Sequence, residues 1–487
     1  MPHLRGLGAV DAMIQTASET PAPPISLPLL HGVRFGVPIQ ESNLSPLWGI
    51  RGASIGPCLA AIALFCCCSQ AETPEKTSEP EGPAPGKQLF LGPREGASGA
   101  KKPALPDLPK VSFVQHSRGL AVGGTWREHP LLHDFNGDGN ADMVASNREE
   151  DGLNTWIAPT SEGGDWSLVT EGLPRDLMYG GSDAGDLDGD GDPDLVFGSH
   201  LDGLRVFLNG GELQWTESPS EHDNPFRMLD VCLGNLNADE HLDVVGIGHF
   251  SDSGAGVFLG LGDGTFRRAP ESETIFEAST FGTVIELSDL DGDGDDDLFF
   301  CCKAGPRVFL TEQTEEGLTW TPSSAGLPTT SIGNIVRACL PADLNGDGTP
   351  ELVVGELTDP NMSEDLRRTA AVYSFDQANA RWDLVDSGLP THLSVTDAAS
   401  ADLDGDGHAD IVLVSIEEGV MIYRGDGTLR FTSVGQVSRA PNPRVALGDA
   451  NGDGRVDICM LHGATKSNPD GGGVQVFLNT AMAWTER

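Results

Sequence analysis

Positive charge is scarce in this chain: 30 Lys and Arg stand against 73 Asp and Glu over 487 residues, a formal net charge of −43. A field of that sign repels phosphate backbones, so nucleic acid is excluded as a partner. Aromatic residues make up only 6%, with three Tyr, and no HExxH pair offers a zinc-hydrolase centre. Long apolar runs are missing too. The stretch 53–65, ASIGPCLAAIALF, has thirteen residues, too few to cross a bilayer as a helix. Nor do the nine cysteines build a disulfide framework, because Cys58 lies within that stretch and Cys66, Cys67 and Cys68 directly follow it. The other five, Cys232, Cys301, Cys302, Cys339 and Cys459, fall in strand-like segments as small buried hydrophobes, and adjacent Cys301 and Cys302 would face opposite sides of one strand.

What the chain has instead is a repeated acidic nonapeptide of the form DxDxDGxxD, each copy running into β-branched and apolar residues. Seven copies start at Asp134, Asp186, Asn235, Asp289, Asp343, Asp402 and Asp449, spaced by 52, 49, 54, 54, 59 and 47 positions. That is the period of a propeller blade or solenoid turn.

The spelling fits a hard cation. Ca²⁺ takes about six to eight oxygen ligands at roughly 2.3–2.6 Å, so a short loop must turn several carboxylates or amides inward. Positions 1, 3, 5 and 9 supply side chains, position 7 a backbone carbonyl, and glycine at position 6 allows the sharp turn. In copy 1 the ligands are Asp134, Asn136, Asp138 and Asp142 with Asn140 at position 7; in copy 2, Asp186, Asp188, Asp190 and Asp194 with Asp192. Copy 3 offers Asn235, Asn237, Asp239 and Asp243 with His241, and copy 4 Asp289, Asp291, Asp293 and Asp297 with Asp295. Copy 5 has Asp343, Asn345, Asp347 and Glu351 with Thr349; copy 6 has Asp402, Asp404, Asp406 and Asp410 with His408; copy 7 has Asp449, Asn451, Asp453 and Asp457 with Arg455. Six or seven calcium ions are therefore expected, since copy 3 replaces two acids by Asn and its glycine by Glu240.

An EF-hand begins the same way but needs a carboxylate at position 12 and flanking helices. Position 12 is Ala145, Phe197, Gly246, Phe300, Val354, Leu413 and Met460, and the residues around it are strand-like. EF-hands are excluded. After each loop and its strand come a turn, a second apolar strand such as LRVFLN from Leu204, and an aromatic strand centred on Trp166, Trp215, Phe266, Trp320, Trp382, Phe431 or Trp484. A further segment, often opened by GLP, returns to the next loop. Four strands per unit and seven units predict an all-β fold, a seven-bladed β-propeller spanning 111–487. Its last blade has two candidates for an outer strand: VSFVQ at 111–115 and the tail AWTER.

These units resemble the FG-GAP and VCBS repeats, calcium-loop propellers of integrin α-chain heads and many bacterial surface proteins. The resemblance implies that each calcium loop joins a blade's first and second strands and that the opposite face carries the ligand. At the far ends of the second strands stand Arg148, His200, His249, Lys303 and His462, a candidate polar or cationic ring on that face.

Ahead of the propeller, Arg51, the thirteen-residue apolar stretch and Cys66, Cys67 and Cys68 resemble a bacterial lipoprotein signal at 50–68, with those cysteines as lipidation candidates and an imperfect lipobox. Residues 1–49 would then lie outside the mature protein, and the Pro-, Glu- and Gly-rich 69–110 would be a disordered tether. The expectation is an exported protein, secreted or at the outer membrane or cell surface, touching membrane only through its lipid anchor. Its function would be a non-enzymatic module for a protein or glycan ligand. A polysaccharide lyase using the His and Arg/Lys ring, or a multivalent lectin, are the alternatives.

Overall fold

The computed structural model describes residues 112–480 apart from short internal segments, the longest being 219–226 and 358–368. The leader, the signal segment, its cysteines, the tether and Trp484 lie outside the described residues. The chain divides into two units, Met1–Ala100 and Lys101–Arg487, and every described residue belongs to the second.

Strands alternate because the sequence alternates between acidic turn and apolar run. Seven four-stranded antiparallel sheets result, each built from consecutive strands except the last. Blade 1, for example, runs Leu131–His133, Asp142–Ser146, Leu153–Ile157, Ser167–Val169, from the inner strand outward. In every blade the acidic nonapeptide joins the first and second strands, as the resemblance implied. The second strands are buried on both faces, and Asp410–Ser415 is buried at all six positions. Apolar side chains on the two faces feed seven clusters, one between each pair of neighbouring blades. The two adjacent cysteines obey this alternation, with Cys301 packing towards blade 5 and Cys302 towards blade 3.

The ring closes through the N-terminal candidate. Phe113–Gln115 pairs with Gly473–Asn479 as the outer strand of blade 7, in the register Phe113↔Asn479. The next segment then crosses to blade 1: Trp166 N donates to Arg118 O, and buried Trp126 lies 5.6 Å from Trp156 between ring centroids.

The aromatic residues serve packing. Trp382 is fully buried, and its indole donates to Ser323 O of blade 4 at 2.9 Å. The GLP turns explain how it is captured. Gly326 sits at φ +96°, and a Cβ there would stand 2.0 Å from Trp382 O. Only glycine lets one blade's outer turn close on the next blade's aromatic strand.

Candidate metal loops and the opposite face

Six of the seven nonapeptides fold into the same nest. The first-position carboxylate accepts the N–H of the sixth-position glycine (Gly139, Gly191, Gly294, Gly348, Gly407, Gly454) at 2.7–3.1 Å. Those glycines have φ between +78° and +97°, which a side chain would strain. In copy 3, where Glu240 replaces the glycine, Asn235 accepts instead from Asn237 N and donates through Nδ2 to Asp239 O. The main chain of Asn235 is also latched to blade 4, accepting from Asp296 N at 2.7 Å and donating to Asp296 Oδ2 at 2.8 Å.

The ninth position does two tasks. Asp142, Asp194, Asp243, Asp297, Glu351, Asp410 and Asp457 are all buried. In Asp297, Oδ2 accepts Leu290 N and Oδ1 accepts Thr311 N, both at 2.8 Å, tying the loop's start to the third strand. The same pairing recurs at Asp142, Asp194, Asp243, Asp410 and Asp457. Burial pushes Asp297 and Asp142 up to about 7, although the backbone N–H groups pull the other way. A nearby cation would favour the charged form.

The donor set suits such a cation. Carboxylate oxygens of Asp186, Asp188 and Asp194 lie within 4.8 Å of one another, as do those of Asp289, Asp291 and Asp297 and of Asp402, Asp404 and Asp410. Two oxygens each ~2.4 Å from one ion can stand at most ~4.8 Å apart, so each trio could share one ion. Copies 1, 5 and 7 have Asn136, Asn345 and Asn451 at position 3, each with Oδ1 accepting the N–H of position 5. Copy 3 offers fewer charges, with Asn235 and Asn237 at the first and third positions and without the glycine nest.

On the opposite face, three residues of the expected ring, Arg148, His200 and His462, are among the described residues. His200 is buried, and desolvation followed by the charges of Arg148 and Arg227 holds its pKa below the ordinary imidazole value. His462 is half-buried and also lowered by burial, and Arg148 is half-buried with its N–H on Thr125 O. His249 and Lys303 lie outside the described residues. So does the chain's one Gly-x-Ser-x-Gly string, 52–56. Among the described residues this face also exposes large apolar side chains: Val122 (94%), Leu201 (50%) and Ile416 (52%), from the crossing segment and the hairpins of blades 2 and 6.

A further group escaped the sequence reading. His129, Asp230, Asp397 and Arg444 each stand five residues before a loop, and Asp183 and Glu286 three before. They belong to different blades yet feel one another's charge, which puts them around the axis. His129 Nε2 meets Asp397 Oδ1 at 2.9 Å across 268 positions. Burial opposes charge on His129, but Asp397 outweighs it and raises the imidazole to about 9. Asp183, Asp230 and Asp397 also accept the first-strand N–H of the next blade, from Leu233, Ile285 and Val445. Aligning the copies backwards from each loop start would have found these residues.

With a seven-bladed ring and its nested loops in place, the repeat can be named. Residues 134–197, 186–246, 235–300, 289–354 and 402–460, together more than half of the chain, match the FG-GAP-like repeat. The chain belongs to the FG-GAP-like repeat family. No curated protein sequence matches it. Among solved structures it is similar to the BP39L lectin of Burkholderia pseudomallei, at 13% identity and TM-score 0.50 over 75% of this chain and 99% of that one. An Agrocybe aegerita lectin that recognises non-reducing terminal N-acetylglucosamine is 17% identical, with TM-score 0.42 over 65% and 81%. BBS1N, solved in complex with ARL6DN, is 11% identical, with TM-score 0.46 over 78% and 100%. At 13% identity, the likeness of the FG-GAP chain to BP39L is one of fold alone.

Proposed function

We propose that this FG-GAP propeller is a calcium-stabilised binding module whose ligand, a protein or a glycan, docks on the face opposite the metal loops. The observation that carries the reading is the convergence of three carboxylates in copies 2, 4 and 6 within the span of one ion. Without a cation these acids repel: burial and then the neighbouring Asp190 and Asp293 raise Asp188 and Asp291 above the usual carboxylate range. A cation that binds only the native state stabilises it by mass action.

Excess chelator is therefore expected to lower the melting temperature of the full chain markedly, and calcium to restore it. An unchanged melting curve would remove calcium from the account. For the ligand face, Val122, Leu201 and Ile416 supply the exposed apolar contacts on otherwise polar turns. A glycan array in calcium, run beside a lyase assay on uronate polymers, separates binding from catalysis; turnover in the second would favour the enzyme. The signal-like 50–68 supports export with a lipid anchor. In a bacterial host the chain should take up labelled fatty acid, and Ser at Cys66, Cys67 and Cys68 should abolish the label.

A further inference from the structure

Copy 6 contains a cation of its own. Arg424, from the third strand of blade 6 (Gly419–Gly425), reaches back to the loop, with Nε 2.7 Å from Asp404 Oδ2 as an ion pair and Nη2 2.5 Å from Asp406 Oδ2. These are the third and fifth ligand positions. The Asp404 side chain is 1% exposed and that of Arg424 21%, so the pair is screened little by water.

Five of the other six blades carry an aliphatic side chain at this place, and blade 5 carries Ser374. The residue after Arg424, Gly425, gives its N–H to the ninth-position carboxylate of Asp410. The same N–H comes from Ala158, Asn209, Gly260, Thr311 and Asn479 in blades 1, 2, 3, 4 and 7. The residues before those are Ile157, Leu208, Leu259, Leu310 and Leu478, all aliphatic. In blade 7 Arg455 also pairs with a fifth-position acid, Asp453, but it leaves the third position alone and spends its Nε on Asn479 O.

We infer that Arg424 is a built-in competitor for the metal of copy 6, holding its loop closed without calcium and lowering its affinity below those of copies 2 and 4. This role rests on the reading of the loops as calcium sites. A guanidinium does not lose its charge, so an ion entering copy 6 must displace it from two carboxylates, one of them buried. Copies 2 and 4 have the same four ligand acids and an aliphatic residue, Leu208 or Leu310, where Arg424 stands. Copy 6 thus fills last as calcium rises.

The test is a calcium titration of the full chain by calorimetry, with Asp404→Asn and Asp188→Asn marking the steps of copies 6 and 2. In the wild type the copy 6 step is expected to be the weaker. Arg424→Leu, which installs the residue of the other blades, should tighten it about tenfold, since affinity follows the net ligand charge. In chelator the same variant should melt below the wild type, because Asp404 and Asp406 lose their counter-charge. Should Arg424→Leu fold poorly, Arg424→Lys keeps a charge without the fork and should tighten the step to a lesser degree. A copy 6 step unchanged or weakened in these variants, with the copy 2 step intact, overturns the role of Arg424 alone. Absence of both steps in the wild type overturns the calcium reading and this inference with it.

Discussion

At the scale of single residues, two acids of one loop answer to different forces. Asp297 lies fully inside and holds two backbone N–H groups, whereas Asp291 is exposed and joins the carboxylate trio proposed to hold the ion. Removing Asp297 strands two buried donors at about 1–3 kcal/mol each, a loss independent of metal. Asp297→Ala is therefore expected to destabilise the chain by ~3 kcal/mol or more even in chelator, by urea denaturation. Asp291→Ala should cost little in chelator and show its effect as weakened calcium binding. Equal losses in chelator would mean that the ninth position is a ligand and nothing more.

At the scale of elements, the nonapeptide and the apolar runs made the strands legible, because a period-two pattern bounded by glycine-rich turns admits little else. The loops' place between first and second strands followed from the repeat. Two things did not. The GLP turns read as connectors, yet their glycines close on the next blade's backbone, a contact between residues some fifty positions apart that no local pattern records. Likewise His200, polar and in a hairpin turn, reads as a surface group but is buried. The closing strand was one of two candidates in the sequence, and pairing with Gly473–Asn479 selects Phe113–Gln115. Deleting residues 1–116 is thus expected to lower the melting temperature sharply by opening the ring. Deleting 481–487 should leave it nearly unchanged, and the opposite ranking would assign closure to the tail.

At the scale of the whole molecule, the axis couples the blades through charge. Burial, and then Asp230, hold the Glu286 carboxyl up to about 8, well above its ordinary 4.5. A raised folded pKa means that the native state keeps a proton which the unfolded chain has lost. The stabilisation this represents is complete below pH 4.5 and fades as pH rises through 8. His129, raised from 6.5 to about 9, fades in the same direction over a higher window. Glu286→Gln should therefore gain stability relative to the wild type as pH climbs from 5 to 9, measured by thermal melts in excess calcium. A constant difference across that range would show that Glu286 does not carry the proton.

The strand that closes the ring also sets a timetable. Ser117, just beyond it, accepts a hydrogen bond from Val476, 359 positions later. At roughly 5–20 residues per second of synthesis, the early strand waits on the order of 20–70 s for its neighbour to leave the ribosome. Blades 1 to 6 can each form meanwhile, but the gap between the first and the last stays open, with unpaired backbone on both sides. Completion waits for the last blade, and whatever interrupts translation before Gly473–Asn479 is made leaves a propeller with six finished blades and an open edge.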